Sequence, residues 1–261
     1  MPCCEGERTL DALTATLARA EVPPHVRRLG IVSGYAVLHP NTQGQAWASL
    51  FRWHNESSNA WTMVVLALAS LCLTLTAANL DAATMCLTAA VLMHCPFSVG
   101  CSLSTPIDKA TGSAWKRWDW CALNAAAVPI TFGLGYHGMP ALLCALNVGV
   151  TLRLAIGNVR RPGRADRRAR ALIPLVLSFN FPILFHCARP FARECARGVL
   201  GSLLIGGAAY SLKIPERWFP GAFDYAGSSH HLMHVMLIVA HAYQHRFVAS
   251  LMSLRSSPNE G

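Results

Sequence analysis

The sequence predicts an all-α membrane protein, built as a bundle of seven transmembrane helices. Apolar residues make up 53% of the 261 residues and charged residues only 13%, well below the roughly 25% charged that is usual for soluble domains. The charges cluster in the first 60 residues and in a few short segments, with long apolar tracts between them. A lipid bilayer suits such tracts, because a helix satisfies its own backbone hydrogen bonds there.

This pattern divides the chain into three regions. Residues 1–59 are expected to form a cytosolic N-terminal segment, which lacks the apolar core of a signal peptide. Residues 60–249 form the membrane domain, and residues 250–261 form a short C-terminal tail. Within the first region, three leucines fall on one face of a possible short amphipathic helix: Leu10, Leu13 and Leu17.

Seven apolar segments each approach the length that crosses about 30 Å of hydrocarbon. They are residues 60–80, 82–103, 118–136, 138–156, 171–187, 197–213 and 229–249. Pro174, Asn180 and Pro182 interrupt the fifth segment, and three glycines thin the sixth. Neighbouring helices satisfy the backbone groups that such residues free, so both segments are retained as spans.

The distribution of Lys and Arg predicts the orientation. With the N-terminus in the cytosol, sixteen of these residues fall in cytosolic loops and five in outer loops. The positive-inside rule therefore places the N-terminus in the cytosol and the C-terminus outside. These loops also account for the net charge of +9, so membrane lipid rather than nucleic acid is the expected partner. The arginine-rich loop at 160–170 would lie near anionic headgroups.

Four residues form a candidate zinc site. His230 and His234 are four residues apart near the start of the seventh span, so both imidazoles project from one helix face and could share a metal ion. With the predicted orientation, His94 of the second span and Asp119 of the third lie at the same cytosolic depth. Three histidines and a water form an open zinc site that lowers the pKa of the water, and Asp119 would hold that water or take its proton.

A purely structural role is the alternative for these residues. His94 could be a buried polar contact between helices, and Asp119 a carboxylate that is stabilised by a helix dipole. Two further histidines, His241 and His245, continue the same helical face toward the outer leaflet. They are expected to line a polar seam rather than to bind the same ion.

Three motifs resemble the progestin and adipoQ receptor (PAQR) family: SGYAVLHP at 33–40, FRWHNESSNAWT at 51–62, and IPERWFPGAFDYAGSSHHLMH at 214–234. The segment EVPPHVRRLGIVSGY is similar to the membrane progestin receptors in particular. The resemblance implies a seven-helix bundle with a cytosolic N-terminus and an intramembrane zinc. By matching motifs, it assigns the zinc ligands to His94, His230 and His234, and the family's third-helix aspartate to Asp119.

Two positions depart from the family pattern. Ala90 stands where the family often has a serine, four residues before the second-helix histidine, and Met63 stands where it usually has a histidine. Any role of the missing hydroxyl is lost, or has moved to Thr88 or Ser98.

Three functions are compatible with these features. A receptor would bind a steroid (progestin-like) or other lipid near the zinc. Binding would shift the helix bundle between conformations that a cytosolic signalling partner recognises. An enzyme would use zinc to hydrolyse a lipid amide, as in the alkaline ceramidases, to which the family is thought to be distantly related. A scaffold would use the metal only to tie helices together. The receptor is preferred, because progestin-receptor-like motifs occur at both ends of the chain and the expected serine is replaced by Ala90.

Overall fold

The computed structural model describes residues 16–36, 43–76, 81–160 and 165–256. Helices dominate this part of the chain, and the predicted all-α class is confirmed. In chain order the described elements are strands β1 (Thr16–Leu17) and β2 (Tyr35–Ala36), then helices α1 (Gln43–Ala48), α2 (Ser57–Leu75), α3 (Ala82–Ser104), α4 (Lys109–Gly135), α5 (Ala141–Arg160), α6 (Ala165–Phe179), α7 (Phe181–Phe185), α8 (Pro190–Leu212) and α9 (Ser229–Ser256). A 3-10 turn at Ser49–Phe51 follows α1.

Four helices of the described chain are long and apolar enough to cross a membrane: α2, α3, α5 and α8. They correspond to the first, second, fourth and sixth predicted spans. Helices α4 and α9 are longer, with 27 and 28 residues, but they are more polar, because α4 begins with a charged segment and α9 contains five histidines. The count of seven crossings and the orientation stay predictions.

The fifth predicted span, 171–187, is not one continuous helix. Helix α6 ends at Phe179 and α7 begins at Phe181, with Asn180 between them. Pro182 lies in the first turn of α7, where its missing N–H is tolerated, whereas the same residue would break a helix that continued from α6. The side-chain amide of Asn180 donates to the carbonyl of Val176 at 3.0 Å. Proline chemistry therefore explains why this segment is not one continuous helix, and its count as one span stays a prediction.

The predicted amphipathic helix near the N-terminus falls largely outside the described residues, as do Leu10, Leu13 and the last four residues of SGYAVLHP. Leu17, the remaining leucine of that helix, lies in β1, where it pairs with Tyr35 of β2 in an antiparallel register. The helical prediction is therefore wrong at Leu17. At the other end of the chain, α9 continues to Ser256, past the predicted end of the seventh span.

The chain divides into two compact units. The first unit comprises Met1–Val64, Phe97–Arg117 and Ile205–Val235. The second unit comprises Val65–Pro96, Trp118–Leu204 and Met236–Gly261.

In the first unit, the N-terminal segment packs against the loop that precedes α9. Gly30 has φ +76°, and a Cβ there would lie 2.1 Å from the carbonyl oxygen of Glu216, so this close approach requires glycine. The carboxylate of Asp224 accepts hydrogen bonds from the backbone N–H groups of Val32 and Ser33 at 2.9 and 2.7 Å. The segment has its own small apolar core, formed by Val22, Val26, Ile31 and Tyr35. This packing brings the arginines after Val26 close to the start of α9.

The second unit buries apolar side chains between helices and leaves others on its outer surface. Its core includes Leu87, Leu134, Val199 and Phe247, which are fully buried. In contrast, Leu142 of α5 and Leu204 of α8 are both 73% exposed. Exposed leucines along an apolar helix are expected where lipid covers the surface, so these helices have the character of membrane spans.

Candidate metal centre

The start of α9 carries two of the predicted metal ligands. The carboxylate of Glu216 accepts hydrogen bonds from the backbone N–H of Ser229, at 2.7 Å, and from its hydroxyl. This contact satisfies a backbone donor that has no partner within the helix, and it places negative charge at the positive end of the helix dipole. One helical turn then brings His230 and His234 together, with ring centroids 4.6 Å apart.

His234 has a defined tautomer. Its Nδ1 lies 3.0 Å from the backbone carbonyl oxygen of Asn59 and 3.1 Å from the hydroxyl of Thr62, both in α2. A carbonyl only accepts hydrogen bonds, so Nδ1 carries the proton and the lone pair lies on Nε2. Metal-binding histidines commonly have this arrangement, with one nitrogen donating to a carbonyl and the other facing the ion. His234 is 3% exposed, so its ring is held within the first unit.

His230 is held differently. The guanidinium of Arg28 donates to its Nδ1 at 2.8 Å, and the same guanidinium forms an ion pair with Glu56 at 2.5 Å. A guanidinium only donates, so Nδ1 of His230 is the acceptor and the ring proton lies on Nε2. Metal binding through Nε2 would move the proton to Nδ1, where it would face another donor. Arg28 must therefore release His230 before Nε2 can bind a metal.

The HNESSNAWT motif supplies the buried acid that holds Arg28. Glu56 is 3% exposed, and the side-chain amide of Asn59 donates to its carboxylate at 2.8 Å. Burial raises the pKa of Glu56, while the charge of Arg28 and the bond from Asn59 act in the opposite direction. Removing either partner of this ion pair would leave the other with a poorly solvated charge.

The same motif begins α2. Ser57 accepts a hydrogen bond from the backbone N–H of His54 at 2.8 Å and donates its hydroxyl to the carbonyl of Arg52 at 2.6 Å. His54 is buried, and desolvation lowers its pKa to about 4, so its ring is neutral at pH 7. Trp61 lies partly exposed on the helix and donates to the carbonyl of Leu50 at 2.8 Å.

In the second unit, His94 of α3 contacts Asp119 of α4. The His94 Nε2 lies 2.9 Å from the Asp119 Oδ1. An ionised carboxylate only accepts, so Nε2 donates and the imidazole lone pair lies on Nδ1. A carboxylate that orients a histidine in this way is a recurrent partner of metal-bound imidazoles. His94 and Asp119 are thus adjacent, as their predicted roles require.

The predicted site residues form two local pairs. His230 and His234 lie in the first unit, and His94 and Asp119 lie in the second. Within the described residues of either unit, no three His, Cys, Asp or Glu side chains are arranged to hold a metal ion. A shared zinc therefore remains a prediction, which depends on both pairs contributing to one centre.

The position of Ala90 is buried, at 1% exposed, so a hydroxyl there would need a partner inside the protein. One of the two hydroxyls considered as its replacement is engaged elsewhere. Thr88 donates to the carbonyl of Ser70 at 3.0 Å and contacts the hydroxyl of Thr74 at 2.6 Å. Ser98 is buried. Thr88 is therefore part of a different polar cluster.

The chain is similar to several known membrane proteins. The profile of a family described as Haemolysin-III related matches residues 171–245. The adiponectin receptor protein of Drosophila melanogaster is 24% identical over 234 residues, which cover 79% of this chain and 52% of that protein. The membrane progestin receptor alpha of Homo sapiens is 27% identical over 270 residues, which cover 90% of this chain and 76% of that protein. These similarities support the predicted membership of the PAQR family.

The relatives differ in how much they share with this chain. The chain spans about half the length of the Drosophila relative and about three quarters of the human one. The heptahelical transmembrane protein ADIPOR3 of Oryza sativa subsp. japonica is 58% identical over only 71 residues, or 27% of this chain and 16% of that protein. With its apolar helices, the chain is an integral, multi-pass membrane protein.

Two residues that hold the histidine pair, one directly and one through its neighbour, were not predicted as site residues. Arg28 bonds directly to His230, and Glu56 holds Arg28. Both lie inside motifs that carry the PAQR resemblance, EVPPHVRRLGIVSGY and FRWHNESSNAWT. The motifs were therefore a signal for these residues, but their contact with α9 is a property of the fold.

Proposed function

We propose that this PAQR chain is a membrane receptor for a steroid (progestin-like) or other lipid ligand, with a zinc centre formed by His94, His230 and His234. Similarity over 90% of the chain to a membrane progestin receptor supports the ligand class. The observation that carries the metal proposal is the hydrogen bond from Nδ1 of His234 to the Asn59 carbonyl, at 3.0 Å. It directs the lone pair of a buried imidazole to Nε2, the nitrogen that a metal would use.

The three histidines fit zinc to different degrees. His234 fits with its present tautomer. His94 fits through Nδ1, because Asp119 accepts the proton of its other nitrogen. His230 fits once Arg28 releases its Nδ1, so metal binding is coupled to a movement of that guanidinium. When bound, zinc would supply a Lewis acid and a water of lowered pKa.

A zinc-dependent lipid amide hydrolase is the second candidate, and the contact between His94 and Asp119 favours it. The Asp119 Oδ1 lies 2.9 Å from an imidazole nitrogen, within the range over which a general acid or base exchanges a proton. Asp119 would take a proton from the attacking water on its other carboxylate oxygen and deliver it to the amide nitrogen as the C–N bond breaks. His94 would fix the orientation of that carboxylate.

Zinc content of the purified full chain tests the metal centre. We expect about one zinc per chain in the wild type, and at least a tenfold loss of affinity in His94→Ala, since the ligand itself is removed. A matched control is His137→Ala, because His137 also bonds to a carboxylate in the second unit, Asp81, at 2.8 Å. Equal zinc in the wild type and in His94→Ala would exclude His94 as a ligand.

Two assays on the same preparations separate receptor from hydrolase. The receptor predicts saturable binding of a labelled progestin without release of fatty acid from ceramide. The hydrolase predicts ceramide turnover that is abolished in Asp119→Asn while zinc stays bound. Zinc binding without progestin binding and without ceramide turnover would favour the third function, a scaffold in which the metal only ties helices together.

A further inference from the structure

The first unit contains a cavity of about 280 Å³ beside the start of α9. Its wall is formed by three separate parts of the chain: the N-terminal segment, the start of α4, and the region from the end of α8 to α9. Cationic side chains come from each of them, and His230 touches one side. The positively charged members are Arg27, Arg28, Lys116 and Lys213.

The positive charge of this cavity is only partly neutralised. Arg28 is paired with Glu56 at 2.5 Å. Among the described residues, no carboxylate lies within ion-pair distance of Arg27, Lys116 or Lys213. The acidic lining residue, Glu216, already accepts two hydrogen bonds from Ser229 at the N-terminus of α9. The cavity therefore has an excess of positive charge, which favours an anion.

The side chain of Lys213 is fixed beside an aromatic ring, although its backbone conformation and a neighbouring positive charge are both unfavourable. Its backbone has φ +58°, a left-handed conformation that is uncommon for a residue with a side chain and that is often found at functional sites. Its ammonium lies 3.6 Å from the ring centroid of Tyr210, a favourable cation–π contact. The guanidinium of Arg28 lines the same cavity, so the two like charges repel each other. A bound anion would relieve this repulsion between like charges.

We propose that this cavity binds a phosphate group, carried by a phospholipid headgroup or present as free phosphate. Lys and Arg are the side chains that bind phosphate, through charge and through forked hydrogen bonds. A phosphomonoester carries about −1.5 to −2 charge at pH 7, so it balances several cations better than a single carboxylate does. The volume falls just below the roughly 300 Å³ at which pockets for drug-sized ligands begin, which suits a headgroup.

The predicted orientation favours a lipid as the source of the phosphate. The lining residues lie in loops that are predicted to be cytosolic, or at the cytosolic ends of the sixth and seventh predicted spans, on the side where anionic lipids are enriched. The positive-inside rule alone requires cations in these loops, but not their convergence on one concave wall. The site requires no bound metal, so it goes beyond the proposed receptor or hydrolase function.

Binding of a fluorescent short-chain phosphatidylinositol phosphate to the full chain in uncharged detergent tests the proposal. The test variant is Lys116→Gln with Lys213→Gln. The control variant is Lys109→Gln with Arg217→Gln, which removes the same charge from the same two loops at exposed positions outside the cavity. We expect affinity to fall about tenfold or more in the test variant, because hydrogen bonds to charged groups are lost, and less than about twofold in the control.

Competition identifies the source of the phosphate. Displacement by inositol phosphate but not by equal inorganic phosphate would assign the site to a lipid headgroup, and equal displacement by both would assign it to free phosphate. Restored binding in Lys116→Arg with Lys213→Arg supports a site that requires charge rather than a folding defect. Equal loss in the test and control variants, or unchanged binding in the test variant, would overturn the proposal. Zinc content in the same variants keeps this result separate from the metal centre.

Discussion

Helix α9 carries two histidine pairs with the same spacing in different surroundings. His230 and His234 have ring centroids 4.6 Å apart, and His241 and His245 have centroids 4.7 Å apart. The first pair contacts the charged group Arg28 and the polar start of α2. The second pair lies among hydroxyl and amide groups. Equal spacing on one helix has therefore produced two chemically different sites.

The second pair forms its hydrogen bonds within a small cluster of uncharged polar side chains. The Nε2 atoms of His241 and His245 are 3.2 Å apart, and the hydroxyl of Ser70 lies 3.0 and 3.3 Å from them. The Oε1 of Gln244 lies 3.1 Å from Nδ1 of His241, so that nitrogen donates and Nε2 of His241 accepts. The lone pair that a metal would need is therefore used within the cluster. In the first pair, by contrast, groups from outside α9 hold the Nδ1 atoms.

Because buried charges lie near the first pair, substitutions there should change the free energy of unfolding more than substitutions near the second pair. We expect Glu56→Gln to lower the free energy of unfolding by about 2–3 kcal/mol, because Arg28 would lose its counterion while a third of its side chain remains in contact with solvent. Equilibrium unfolding in mixed micelles measures this loss. The control is Glu194→Gln, which removes an exposed partner of Arg246 at 2.9 Å and should change stability by less than about 0.5 kcal/mol. Equal effects of the two variants would show that the first region is no more sensitive than an exposed surface pair.

Acidic pH should weaken the first region through His54. Its pKa is about 4 in the folded chain, because burial disfavours the charged ring, against 6.5 for an ordinary histidine. Below pH 6.5 the unfolded chain binds a proton that the folded chain does not, so this contribution is complete above pH 6.5 and is lost progressively as pH falls to about 4.

At pH 5 the loss amounts to about 2 kcal/mol relative to pH 7. We expect His54→Asn, which keeps an acceptor for the backbone N–H of Glu56 but does not titrate, to be less sensitive to pH by that amount. Parallel pH dependence of the wild type and the variant would contradict the assignment to His54.

Substitutions in the cluster around His241 and His245 should change stability least. Gln244→Leu removes the acceptor for Nδ1 of His241 and the donor to Asn180, which lies 3.1 Å away. We expect a loss of about 1 kcal/mol in the free energy of unfolding, since uncharged hydrogen bonds contribute modestly. Ser250→Ala, which removes a hydroxyl that donates to the Arg246 carbonyl of its own helix at 2.9 Å, serves as the control. A loss as large as that in Glu56→Gln would remove the distinction between the two regions.

The sequence predicted those features that are local in the chain. Hydropathy over about twenty residues was sufficient for α2, α3, α5 and α8, because the membrane constrains each helix separately. The same reasoning failed between Phe179 and Phe181, where Pro182 begins a new helix. It also failed at Leu17, whose pairing with Tyr35 depends on a contact that periodicity does not contain.

The candidate site divides in the same way. The spacing of His230 and His234 on one helix face follows from helical geometry, and the predicted orientation of the spans led to His94 and Asp119. Arg28 lies 202 residues from His230 in sequence, and Lys213 is distinguished by a backbone conformation. Neither property leaves a periodic pattern, so the structure was needed to place these residues beside the first pair.

Zinc per chain in two double variants tests the central claim, that surroundings rather than spacing make the first pair a metal site. In His230→Ala with His234→Ala, we expect the purified full chain to retain almost no zinc. In His241→Ala with His245→Ala, we expect about one zinc per chain, as in the wild type. Loss of zinc from the second variant with retention in the first, or equal loss from both, would contradict the account.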